Sequence, residues 1–231
     1  MRQSIIFGSK NIEFELEFSN RKSLGITVTP EMDVMVKAPI GASIERVEEI
    51  VRKRAAWILK QQSFFLSFHP KMPARRIVSG ETHLYLGRQY RVKIIHATEE
   101  SVKLKGAFIE VYTLEKERAE ALVKTWYLNH AKAKFHKVAV PLIERFQKYK
   151  VAPSSLVIRE MAARWGSCTP KGKIILNPEL IKAPKACIEY VIIHELCHLV
   201  HHDHTQKFID LQTREMPNWE KWKHRLETLL A

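Results

Sequence analysis

The sequence predicts an α+β protein, with a strand-rich, basic first part followed by a part built around one apolar, histidine-bearing helix. Three observations predict it. Ile12-Glu-Phe-Glu-Leu-Glu-Phe18 alternates strictly between apolar and acidic residues, the period of a half-buried strand. Between residues 115 and 149 apolar side chains return at helical spacing, at Leu122, Trp126, Ala133, Val140, Ile143 and Phe146. Tyr190-Val-Ile-Ile-His194-Glu195-Leu-Cys-His198-Leu-Val200 is a nearly unbroken apolar helix interrupted by two histidines four residues apart.

In chain order, residues 24–29 and 34–38 read as two further strands, joined by a turn over Pro30-Glu-Met-Asp33. A helix opens at Ser43, with Glu45 and Glu48 in its first turns, and is expected to run through Trp57 to about Phe65. It carries Arg52, Lys53, Arg54 and Lys60, and Phe64, Phe65 and Phe68 beside them read as an apolar core face rather than a base-stacking surface. Residues 70–76 form a linker with two prolines and three basic residues. Short strands follow at 83–86, 90–95, 101–104 and 108–112, punctuated by Gly80 and Gly87, and Tyr90-Arg-Val-Lys-Ile sets its basic residues on one face. No internal repeat is visible. Pro141 is expected to kink or divide the helix of 115–149.

Residues 156–161 read as a strand, 164–172 as a turn and 173–177 as a returning strand. Asn177-Pro178 and Ala183-Pro184 bracket a short segment before the histidine-bearing helix starts near Lys185. Thr205 caps a helix through Leu211, and a last helix with Trp219, Trp222 and Leu226 follows Pro217. The organisation expected is a basic β-rich part over 1–113 and a second part over 114–231, or one continuous domain.

Composition bounds the function. Of 231 residues 45% are apolar and 27% charged, as in soluble globular proteins, and no stretch approaches the roughly 20 apolar residues of a membrane span. The first ten residues hold too short an apolar run for a secretory signal, and three cysteines argue against a disulfide framework. A cytoplasmic protein is expected, without membrane contact. The net charge of +13 is uneven: residues 151–231 hold 11 Lys+Arg against 9 Asp+Glu, and residues 1–150 hold 27 against 16. Such an excess attracts nucleic acid, acidic protein or a polyanionic small molecule, or is a solvated basic face.

His194-Glu195-x-x-His198 carries the chemistry. Imidazoles at i and i+4 stand one turn apart on a helix face and can point at one ion, and the carboxylate at i+1 can take a proton from metal-bound water. By accident such a pattern arises in roughly one chain in a hundred of this length. Here it lies on a strongly apolar helix, and five of the eleven histidines fall between 194 and 204, so a metal site outweighs a core helix with incidental histidines.

A catalytic zinc takes three protein ligands and leaves one position for water. His201 continues the helix face but would lie roughly 10 Å along the axis from His194, too far to share an ion. The third ligand must come from chain that has turned back. His204, six residues after His198, is best placed, at the interval of a longer motif that has Gly three residues after its second His; His202 is the weaker choice. His201 holds the Gly position here, so His202 or Asp203 is expected to end the helix in the left-handed conformation.

Arg164-Trp-Gly-Ser-Cys168, Ile174-Ile-Leu-Asn177-Pro, the motif helix and His204-Thr-Gln-Lys-Phe208 together resemble the YgjP-like zinc metallopeptidase family, itself similar to the SprT-like and WLM-type zincins. Arg21-Lys-Ser-Leu24, Ala38-Pro39, Trp57-Ile58 and Trp126-Tyr127 extend the resemblance through most of the chain. It implies a zincin-like fold, with the active-site helix packed under a small sheet, zinc held by His194, His198 and His204, and Glu195 as catalytic base. Asp203, where Asn is more usual, and Thr205, where Ser is, depart mildly from the pattern and leave the ligand set intact.

From these residues a zinc-dependent hydrolase is expected, most of all a metallopeptidase acting on peptide or protein. Arg164 is the candidate for stabilising a developing oxyanion, against a purely structural ion pair. Asp210 and Glu215 are candidates for accepting the outer N–H of the metal-bound imidazoles. Cys197 reads as core packing, and Cys168 borders the site with its role open. As in zincins, the strand over residues 173–177 would form the cleft edge that pairs with an extended peptide, making Trp165, Ser167, Lys173, Ile174 and Asn177 the substrate-binding set. Two other classes compete: a metal-dependent nucleoside triphosphate pyrophosphohydrolase, for which no phosphate-binding motif speaks, and a nucleic-acid-binding module with a structural zinc, against which Glu195 speaks, since such a site needs no base.

Overall fold

The structure, a computed structural model, describes residues 1–8, 10–29, 32–66, 76–161 and 164–230, without the side chains of 63–66. The expected linker apart from Arg76, Pro30 and Glu31 of the expected turn, and the side chains of Phe64, Phe65 and Phe68 lie outside the described residues. The chain divides into two compact units, Met1–Met72 and Pro73–Leu230.

In the first unit, strands β1 (Arg2–Phe7), β2 (Lys10–Ser19), β3 (Gly25–Val28) and β4 (Val34–Pro39) form a sheet of order β1-β2-β4-β3. The alternation of β2 sends Ile12, Phe14 and Leu16 to the core and Glu13, Glu15 and Glu17 to solvent. Helices α1 (Ile44–Lys53) and α2 (Ala55–Leu66) cover the apolar face with Val47, Val51, Ala55 and Ile58. Ser43 caps α1, its hydroxyl accepting from the Arg46 N–H at 3.3 Å. The single helix expected here is broken at Arg54 (φ −99°, ψ 1°), where the sequence has neither Gly nor Pro to announce it.

In the second unit, β5 (Thr82–Tyr85), β6 (Arg88–His96), β7 (Ser101–Lys105) and β8 (Phe108–Thr113) form a sheet of order β5-β6-β8-β7. Its pairings are antiparallel, parallel, antiparallel across the sheet, the same as in the first unit. A repeat of topology therefore exists where the sequence showed none. The helix α3 (Ala119–Phe146) packs on this sheet, and Val92, Ile109 and Val111 share one core with Val123, Trp126 and Phe135. That shared core is why the division falls at 72/73, not at the expected 113/114.

Pro141 does not divide α3. It is exposed, as is Lys137 one turn before, so the carbonyl that loses its helical partner is left on the solvent side. Val123, Trp126, Tyr127, Ala131, Phe135, Val138, Ala139, Leu142 and Phe146 make the buried face, whereas Ala133 and Val140, expected on it, are exposed.

Strands β9 (Ser155–Ile158), β10 (Gly166–Cys168) and β11 (Lys173–Leu176) form a small sheet of order β10-β11-β9. Gly166–Cys168 was expected within a turn, and its short run of small residues carries no strand pattern. Beneath the sheet lies α4 (Lys185–Val200), which also packs on α3, on α5 (Gln206–Glu215) and on α6 (Trp219–Leu230). Partners on so many sides explain why α4 is buried nearly all round, from Cys187 to Cys197. It ends at His201 in an extended conformation (φ −131°, ψ 109°), and neither His202 nor Asp203 has a positive φ, contrary to the left-handed ending expected.

Glu215 ties α5 to the end of α3. Its buried carboxylate meets Arg145 Nε at 3.0 Å and Lys148 Nζ at 2.8 Å, and accepts from the Tyr149 hydroxyl at 2.5 Å. Burial pushes this carboxyl up, but the hydrogen bonds from Lys148 and Tyr149 and the charges of Lys148 and Arg145 hold it below the usual carboxylate range. A depressed folded-state pKa means stability present above the unfolded value of about 4.3 and lost as pH falls through the folded value. Glu215→Gln is therefore expected to cost about 1–3 kcal/mol at neutral pH, with the gap to the parent closing below about pH 4, read from urea unfolding as a function of pH.

Candidate metal centre

Helix α4 sets His194 and His198 one turn apart, with ring centroids 4.9 Å from each other. The chain leaves the helix at His201, and the segment leading into α5 returns His204 to both rings, at 5.0 Å from His194 and 4.6 Å from His198. His204 Nε2 lies 3.1 Å from His194 Nε2. One nitrogen from each of the three rings falls within 4.8 Å of the others, so this group could hold a single metal ion.

The outer nitrogens fix the tautomers of two of the rings. His194 Nδ1 is 2.8 Å from Gln212 Oε1, and His198 Nδ1 is 3.1 Å from the backbone carbonyl of His202. Both partners are oxygen acceptors, so each Nδ1 carries the proton and each Nε2 keeps a lone pair for the centre. His202 thus serves through its backbone, and the residue also lines the cavity. Phe208 of α5, fully buried, lies under all three imidazoles at 5.0, 4.6 and 4.7 Å between centroids.

The expected carboxylate partners of the imidazoles are elsewhere. Asp210 accepts from Gln206 at 2.8 Å, and Glu215 is spent on Arg145, Lys148 and Tyr149. Gln212 takes the role, and sequence reading missed it because a lone glutamine carries no motif. The available signal was its position: six and eight residues after Gln206 and His204 on an amphipathic helix whose face already holds Phe208.

Glu195 is 5% exposed, and burial pushes its carboxyl up to about 7, against the opposing charge of Arg164 and a backbone hydrogen bond from Cys168. Burial also pushes His194 down to about 4, opposed by its bond to Gln212, and lowers His198. These imidazoles stay neutral, the form a metal requires. Gly166 of β10 makes the approach of Glu195 possible: a Cβ there would stand 2.5 Å from Glu195 Oε1 and 2.8 Å from Val191 Cγ1. Burial raises the thiols of Cys187 and Cys197 to about 11 and about 12, and that of Cys168 also moves up. Cys197 is core packing, as expected.

A cavity of about 640 Å³ opens onto the three histidines and Glu195. Arg164, Trp165, Ser167, Cys168 and Tyr190 line it. Lys173, Ile174 and Asn177 do not, and the sheet order gives the reason: β11 is the middle strand, paired to β10 on one side and β9 on the other, so β10 and not β11 is the edge strand beside the cavity. Ile174 is in the core. Asn177 braces the wall from behind, its amide donating to the carbonyls of Met161 and Arg164 at 2.9 and 3.1 Å, while its backbone N–H bonds Trp165 O at 2.9 Å.

A family model described as YgjP-like, metallopeptidase domain, matches residues 22–229. No curated protein matches the sequence. Among solved structures, the metallopeptidase zymogen abylysin of Pyrococcus abyssi is similar to part of the chain, at 21% identity over 40% of this chain and 94% of that one, with a TM-score of 0.36.

Gln212→Ala is expected to weaken metal binding about 10–100-fold, and Gln212→Glu to retain it, as read by competition with a chromogenic chelator. Gly166→Ala should leave metal content near the parent's while destabilising the fold by about 1–3 kcal/mol in urea, because Glu195 and Val191 must move.

Proposed function

The chain belongs to the YgjP-like metallopeptidase family, and from that premise we propose that it is a zinc-dependent peptidase using Glu195 as general base. The observation that carries this reading is the convergence of three imidazole nitrogens beside one buried carboxylate, open to a cavity on one side. His194, His198 and His204 would hold the ion. The donor set is one zinc takes: ligand bonds of about 2.0–2.1 Å place nitrogens roughly 3.3 Å apart, the His194–His204 pair is at 3.1 Å, and all three nitrogens lie within 4.8 Å of one another. Bound there, zinc would lower the pKa of a water in its open position and polarise the scissile carbonyl.

The remaining chemistry belongs to the chain. Glu195, whose carboxyl is pushed up to about 7, can accept a proton near neutral pH and return it to the leaving amine. Arg164, whose charge already reaches Glu195, can turn its guanidinium to negative charge developing on the carbonyl oxygen. Strand β10 pairs with β11 on one side only, so an extended substrate can add to its other edge, with Ser167 and Trp165 at its flank.

Against a nucleoside triphosphate, Arg164 is the one permanently charged cation lining the cavity among the described residues, too few for a triphosphate chain. Against a purely structural ion, no fourth protein ligand joins the three histidines among the described residues, and Glu195 stands where a base would.

The test is turnover of unfolded protein, peptides and nucleoside triphosphates by zinc-loaded protein. Peptide bonds are expected to be cut, and Glu195→Gln to lose more than about 100-fold in turnover with its zinc retained. Turnover of triphosphates alone, lost in Glu195→Gln, would reassign the substrate. His204→Ala should lower zinc content sharply by elemental analysis, whereas His201→Ala and His202→Ala should leave it near the parent's.

A further inference from the structure

The outer face of the sheet β5-β6-β8-β7 takes no part in the metal centre. Its inner face carries Val92, Ile109 and Val111 into the core. Alternation then places Arg91 and Lys93 of β6, Phe108, Glu110 and Tyr112 of β8, and Lys103 and Lys105 of β7 together on the opposite side. The register is specific. Phe108 has Arg91 as its partner on one side and Lys105 on the other, and Glu110 lies between Lys93 and Lys103. A central strand bearing two aromatic rings is thus flanked by two basic strands.

The Phe108 ring and the charges are exposed, and Tyr112 is half-buried. Phe108 is 39% exposed, and Arg91, Lys93, Lys103 and Lys105 are all exposed. Lys103 and Lys105 hold their ammonium groups 5.3 and 5.7 Å from the centre of the Tyr112 ring. Glu110, the one acidic group among these seven residues, is engaged by the Tyr112 hydroxyl at 2.6 Å and by Lys105 at 3.4 Å. Arg91, Lys93 and Lys103 have no ion-pair partner among the described residues. Residues 73–150 hold 16 Lys+Arg against 8 Asp+Glu, and this face contributes four of those cations and one of the acids.

The first unit provides a comparison within the same chain. Its sheet has the same strand order and pairing senses, yet the charged residues on its corresponding face are Arg2, Glu13, Glu15, Glu17 and Lys37. Arg2 pairs with Glu15 at 3.8 Å and Lys37 with Glu17 at 3.0 Å. This topology does not require a basic, aromatic outer face, and only the second sheet has one.

We propose that this face docks single-stranded nucleic acid, with bases stacked on Phe108 and Tyr112 and phosphates met by Arg91, Lys93, Lys103 and Lys105. Every base offers a planar face to such rings once it is free of a duplex, and cations on two strands about 9–10 Å apart, one on each side of the aromatic strand, can follow a flexible phosphate backbone. An acidic polypeptide would satisfy the cations but leave the rings unused.

The test is fluorescence anisotropy of the full chain with labelled oligothymidylate, the matched duplex and polyglutamate across a salt series. Oligothymidylate is expected to bind more tightly than the other two. Phe108→Leu with Tyr112→Leu, which keeps apolar volume but removes the rings, should weaken it at least about fivefold with the salt slope unchanged. Lys93→Ala with Lys103→Ala should lower the slope of log affinity against log salt by about 1.4, while Lys37→Ala in the first sheet leaves it unchanged. Urea unfolding of each variant separates lost binding from lost fold, and Phe108→Trp, which keeps a stacking ring, should retain affinity. Absence of binding at low salt, equal affinity for duplex or polyglutamate, or parental affinity in the folded leucine variant would each overturn the proposal.

Discussion

The centre depends on how α4 reconciles burial with polarity. A helix with apolar contacts on nearly every side places two imidazoles and a carboxylate where water is scarce, and each of these groups costs free energy unless something offsets it. Gln212 and the His202 carbonyl take the outer N–H groups of His194 and His198. Phe208 fills the space under the rings. Glu195 has less compensation, the charge of Arg164 and a backbone bond from Cys168, and its affinity for a proton rises accordingly. The unfavourable burial of that carboxylate brings its proton exchange close to neutral pH.

The same requirement organises the elements around α4. Chain must leave the helix and come back within a few residues if His204 is to reach His194, and the extended conformation of His201 begins that return. Helix α5 then brings Phe208 and Gln212 against the imidazoles, and Glu215 at its end fastens it to Arg145 and Lys148 at the far end of α3. On the opposite wall, Asn177 holds the carbonyls of Met161 and Arg164, which sets the loop leading into β10. Gly166 on that strand has no side chain because the Glu195 carboxylate occupies the space. Residues outside the histidine cluster thereby decide where its imidazoles and the Glu195 carboxylate stand.

What could be read from the sequence follows from where the information lies. His194, Glu195 and His198 share one helix, so their geometry is local and the spacing alone defines it. Most strands were legible for the same reason: β2, β6 and β8 alternate in the chain itself, whatever they pair with. Gln212 was not legible, since its role depends on which way α5 packs, and Asp210 and Glu215 were chemically better candidates that happen to face other partners. The cleft edge failed for a topological reason. Residues 173–176 have the composition of a strand beside the site, but sheet order is not written in composition, and Gly166–Cys168 takes the outer place. The break at Arg54 and the survival of α3 through Pro141 were likewise settled by packing and exposure rather than by helix breakers.

The repeated strand topology separates what the fold requires from what it leaves free. Both four-stranded sheets meet the same demand on their inner faces: β2 sends Ile12, Phe14 and Leu16 inward, and β8 sends Ile109 and Val111 inward. With period-2 alternation, meeting that demand fixes only every second residue. The other half can vary without loss of core, and the two sheets use it differently: one face carries acidic groups joined to Arg2 and Lys37, the other cations around an exposed and a half-buried ring. On the second face Glu110 stands between Lys93 and Lys103, and Phe108 between Arg91 and Lys105, so no two cations oppose each other directly on adjacent strands. Solubility alone would be met equally well by the mixed charges of the first sheet. The fold does not demand the basic strands flanking Phe108 and Tyr112, and a polyanion that neutralises them would also cover the exposed Phe108 ring.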